Sequence, residues 1–192
     1  MLRRIPVLVW FLLPTAIILG VGVWLLSKGA GSTPPVDETK PLPVSRKVEG
    51  AQEFKIVERS HVAVGTTVTT YNSNPPTSGP HWPAPAKNGV YDNQLPDEQL
   101  VHNLEHGYIW ISYRPNKDAT DSAGISSDEK KKLTEIVAGD NWKIILVPRE
   151  QDETKIALAA WGRILKMNNL DEGKIKEFIS VYRNRGPENT PD

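Results

Sequence analysis

From Ile5 to Leu26 the chain runs without a single charged residue, and no other feature restricts its fold as strongly. About 20 apolar residues rising 1.5 Å each cross the roughly 30 Å hydrocarbon layer of a bilayer, whereas the apolar part of a secretory signal is about 7 to 15 residues long. The run is expected to be a transmembrane helix retained as a signal anchor. A long cleaved signal peptide is the alternative, but no A-x-A cleavage pattern follows the run. Arg3 and Arg4 precede it and only Lys28 follows closely. The positive-inside bias then puts the N-terminus in the cytoplasm and the rest of a single-pass chain outside the cell membrane.

This divides the sequence into an anchor over residues 1–28, with the span at 5–26, and a proline- and glycine-rich tether over 29–50. An extracytoplasmic domain follows over 51–186, with a tail at 187–192. A domain of that size can bury a real core. Its first part, FKIVERSHVAVGTTVTTY, is rich in valine and threonine and predicts a strand broken at Gly65. The next stretch, up to Pro96, has too much proline, glycine and asparagine for regular structure, and long ordered loops commonly carry function.

Residues 97–106 predict a short helix ended by Gly107, a residue suited to the left-handed C-terminal cap. YIWISYRP predicts a strand stopped by Pro115, and a helix starts at the capping sequence Ser126-Ser127-Asp128-Glu129. WKIILVPR reads as a central strand. Lys155–Trp161 reads as a strand that ends in a short helical turn, and a last helix, carrying Ile175, Phe178, Ile179 and Tyr182 on one side, is stopped at Gly186. The expected class is α+β: a small, mainly antiparallel sheet with helices packed on one face.

Charge and cysteine usage narrow the function. Lys plus Arg and Asp plus Glu are each 23, which leaves no basic excess for a nucleic-acid partner. With 0 cysteines there are no disulfides, no lipidated cysteine and no thiolate ligands, so metal chemistry must use nitrogen and oxygen donors. The sequence specifies no protein partner.

The four histidines, His61, His81, His102 and His106, all fall in one third of the domain. On a helix His102 and His106 lie about 40° apart in azimuth and one turn apart in height, so their rings can face one ion. His81 follows Pro75, Pro76, Gly79 and Pro80, whose fixed or tight backbone makes a stiff mount. His61 and Glu105 are candidates for a fourth ligand or for orienting the others. Three imidazoles with an open position suit zinc or copper.

H-N-L-E-H also has the H-x-x-E-H spacing of inverted zincins, where Glu105 would be the catalytic base of a hydrolase. Such sites need a long helix, and Gly107 cuts this one off. Hydrogen-bonding histidines that pin the loop of a non-metal envelope interaction domain form the third reading. The sequence leaves open whether the protein is an enzyme.

His61-Val62, YNSNPPTSGPHW, GVYDNQLP, LVHNLEHGYIWISYRP and ALAAWGR together resemble the DUF3105 family, membrane-anchored proteins of unknown function. The resemblance implies an N-terminal anchor. It places the family's motif histidines at His61, His81, His102 and His106, with Glu105 between the last two.

Overall fold

The structure, a computed structural model, describes residues 15, 17–24, 37–118, 121–188 and 190–191. Two compact units divide at Asp37. In the first, residues 17–24 are helical with Ile17, Ile18, Leu19, Val23 and Trp24 exposed. Among the described residues no helix is long and apolar enough to cross a membrane. Most of the expected span, residues 5–14, 16 and 25–26, lies outside them.

The second unit, Glu38–Asp192, is α+β. Its strands are β1 (Gln52–Glu53), β2 (Gly89–Val90), β3 (Ile109–Tyr113), β4 (Ile144–Pro148), β5 (Ile156–Ala160) and β6 (Arg163–Met167). Its helices are α1 (Asp97–Glu105), α2 (Ser127–Gly139) and α3 (Glu172–Tyr182). The strands form one sheet in the order β1-β6-β5-β3-β4-β2, parallel where β4 meets β3 and β2 and antiparallel elsewhere. Residues 38–50, expected in the tether, belong to this unit: Val48 is buried, its N–H donates to Tyr182 Oη at 3.1 Å, and the Leu42 carbonyl accepts from Arg163.

The helices occupy both faces, not one. Every residue of β3 and β4 is buried, so apolar side chains point both ways and each face must be covered. Ile109, Ile111, Ile144, Leu146 and Leu158 pack under Leu133 and Val137 of α2 and Ile175, Phe178 and Tyr182 of α3. On the other side Trp110, Ile145, Val147 and Ala159 pack against Leu100, Val101 and Leu104 of α1 and against Ile56 and Ala86.

Locally, Ser126 and Glu129 close a reciprocal capping box at the start of α2, as their spacing predicts. Three expectations fail. Residues 54–71 form no strand beyond a bridge at His61, because side chains from Val57 to Thr70 are mostly exposed and offer no apolar face to bury. The turn after β5 leads into β6, not a helix. Gly162, at φ +69°, closes a hairpin, and a Cβ there would lie 2.5 Å from Pro41 Cγ. Finally, α3 stops at Tyr182, short of Gly186, and Asn184 takes a positive φ just beyond it.

Candidate metal centre

The loop before α1 is part of the core, since residues 75–81 are buried throughout. A buried loop must satisfy its backbone without a ladder. Thr77 O accepts from Gly162 N at 3.0 Å, and Ser78 Oγ from Val57 N at 3.2 Å. Asn103 on α1 grips Ala86 at both ends: Ala86 N donates to Oδ1, and Nδ2 donates to Ala86 O, each at 2.8 Å. At the other end Arg149 makes a two-point bond to Asp97 and also holds Asp152 and Asn74. Asp97 thus ties α1 to the end of β4, and Glu98 accepts from Val68 N at 2.7 Å.

Three segments bring the histidines together. His81 N donates to Ser60 O at 3.0 Å and Val62 N to His81 O at 2.8 Å, a short parallel bridge that sets His61 beside His81. Gly79 makes the approach to His81 possible: its φ is +133°, and a Cβ would lie 2.9 Å from the Tyr71 ring. α1 supplies His102 and Glu105. One ligand atom from each of His61, His81, His102 and Glu105 lies within 4.8 Å of the others. The His61 and His102 rings stack at 5.1 Å and 12°, and His81 meets both edge-on.

Backbone carbonyls set the tautomers. His81 Nδ1 lies 2.8 Å from Gly79 O and His102 Nδ1 lies 2.7 Å from Trp82 O, so each Nδ1 carries a hydrogen and each Nε2 is the nitrogen left to take a proton or an ion. His81 Nε2 is buried. Glu105 Oε2 stands 3.0 Å from it, close enough to pair with a proton or an ion held there. Arg59 approaches the other Glu105 oxygen at 3.9 Å.

The electrostatics follow from these neighbours. Burial disfavours charge on His81, but the Glu105 carboxylate and the Gly79 carbonyl outweigh it and raise its pKa. Burial lowers that of His102, helped by the nearby His106 and His81. Burial works to raise that of Glu105, yet His81, His102 and Arg59 hold it below the usual carboxylate value.

Of the five residues chosen from sequence, four converge. His106, expected as a principal ligand, is the C-cap residue of α1 and falls outside the four. Its Nε2 meets His102 Nε2 at 3.1 Å and points also to Glu188 Oε2 at 3.3 Å. Sequence reasoning missed Arg59 and Glu188, single charges in segments without periodicity. It also missed the carbonyls of Gly79 and Trp82, although both residues sit within two positions of His81.

A family model described as a protein of unknown function (DUF3105) matches residues 61–192, which contain all these residues except Arg59. No curated protein and no solved structure matches the chain.

Proposed function

Taking as premise that the chain belongs to the DUF3105 family, we propose that it is a membrane-anchored protein whose extracytoplasmic domain binds one transition-metal ion, zinc or copper, through His61, His81, His102 and Glu105. One observation carries the reading: His61, His81, His102 and Glu105 each offer a ligand atom within 4.8 Å of the others, and three of the four residues are buried.

A cation can take the place of the proton that the Glu105 carboxylate draws onto His81 Nε2. The edge of a tetrahedron with 2.0–2.1 Å bonds to zinc is about 3.3 Å, close to the His81–Glu105 separation. His61, which is exposed, has room to close the wider distances. Imidazole and carboxylate donors favour zinc or Cu²⁺, while Cu⁺ prefers the sulfur ligands this site does not have. The hydrolase reading has less support. α1 ends at Glu105, too early for a long zincin helix, and neither the 440 Å³ nor the 480 Å³ cavity is lined by a histidine.

The test is titration of the full chain, purified in detergent without a histidine tag, with zinc and with copper. One tight equivalent is expected. His81→Ala and His102→Ala should each weaken it at least about 100-fold, or about 2.7 kcal/mol. Absence of a tight site, or unchanged affinity in both variants, refutes the proposal.

A further inference from the structure

A second set of donors surrounds His106, and it shares a ligand with the buried site. His102 Nε2 and His106 Nε2 are 3.1 Å apart, and Glu188 Oε2 is 3.3 Å from the same His106 nitrogen. Both separations match the edge of about 3.3 Å expected between ligands on one tetrahedral zinc ion.

The two sets differ in access. The side chains of His81 and Glu105 are 0% and 3% exposed, whereas those of His106 and Glu188 are 12% and 50% exposed. The outer set is nevertheless built on fixed backbone. Glu188 N donates to Glu105 O at 3.1 Å and Asn184 N to Gly107 O at 2.7 Å. The buried Lys143 ammonium donates to His106 O, Asn184 Oδ1 and Thr190 O. Gly186 lets this strap lie flush, since a Cβ there would strike Glu105 O and Gly107 N.

We propose that His102, His106 and Glu188 form an outer station through which the ion enters and leaves the buried site, with His102 as the donor common to both. This rests on the metal-binding reading above. His102 Nε2 has one lone pair and holds one ion at a time, so the two sets are alternatives for the same ion. On entry the bonds from the ion to His106 and Glu188 break as those to His81 and Glu105 form, and the His102 bond is kept. One imidazole and one carboxylate are exchanged for another of each. The coordinated charge is unchanged, and no electron moves.

A station on the path differs from a residue that only orients a ligand. Removing a path slows arrival and departure equally and leaves the equilibrium alone. Removing an orienting partner weakens affinity, typically about 10–100-fold. The experiment is stopped-flow loading of the untagged full chain with Zn²⁺, and extraction by a chromophoric chelator, for the parent, Glu188→Gln and His106→Gln. Both variants should slow loading and extraction by about 10-fold with Kd within about 3-fold of the parent. Unchanged rates in both, or a weaker Kd at an unchanged loading rate, overturn the station while the buried site stands. A parent that binds no zinc removes the buried site and the station together.

Discussion

The two faces of the sheet are covered in opposite ways. Under α2 and α3 the layer is apolar and helical, with Leu133, Phe178 and Tyr182 closing on isoleucines and leucines. Across the sheet, α1 shares its layer with an irregular loop, and Thr77, Ser78, His81, His102, Asn103 and Glu105 are buried there. The first layer is held by area removed from water, and the second by named polar pairs. A layer of the first kind tolerates apolar side chains of similar volume. The second places donors at fixed positions, which a metal site requires.

The sharpest way to break this contrast is one substitution on each side. Phe178→Ala removes a fully buried ring and should cost about 3–5 kcal/mol in urea unfolding, with zinc affinity of the folded protein unchanged. A loss of affinity would couple the helical layer to the site. Asn103→Ala leaves the Ala86 N–H and carbonyl buried without partners, and should cost about 2 kcal/mol. Unlike Phe178→Ala it should also weaken zinc binding, because it frees the loop that mounts His81. Equal effects of the two variants on zinc would erase the distinction between the layers.

The smallest effect is with pH, and it singles out one residue. Zinc needs His81 neutral, and the raised pKa of His81 makes a proton compete for Nε2 from above the ordinary histidine value downward. His102 and Glu105, both lowered, begin to compete only at more acid pH. As pH falls, proton competition at His81 should lower affinity by about tenfold per unit, or about 1.4 kcal/mol, with at least one proton released per zinc. Calorimetry in buffers of different ionisation enthalpy measures that proton. Release of no proton near neutral pH would contradict the raised pKa of His81.

The same contrast explains what could be read from sequence. Ile109–Tyr113, the Ser126 cap and the spacing of Ile175, Phe178, Ile179 and Tyr182 all announce apolar burial, which leaves a period in the chain. Residues 54–71 mislead because β-branched composition without a buried face does not make a strand. β6 is not legible because RILKM, directly after Gly162, lacks the alternation of a half-buried strand. α1 was legible, but not its place on the opposite face, since β4 reads as a continuous apolar run and leaves the side undecided. In the site, His61, His81, His102 and Glu105 were visible as clustered chemistry. Glu188 was not, because it reaches His106 through the fold of a tail with no pattern of its own.

The bridge between His61 and His81 also sets where the chain can change length. From Ala63 to Thr67 every residue is exposed, and Val64 is 65% exposed. A tag, a protease site or several extra residues inserted there leaves both anchoring hydrogen bonds in register. Between Pro75 and His81 the spacing is rigid. One added residue would slide the imidazole of His81 past Glu105 and Ser78 past Val57, so the molecule should accept length variation on one side of the bridge and reject it on the other.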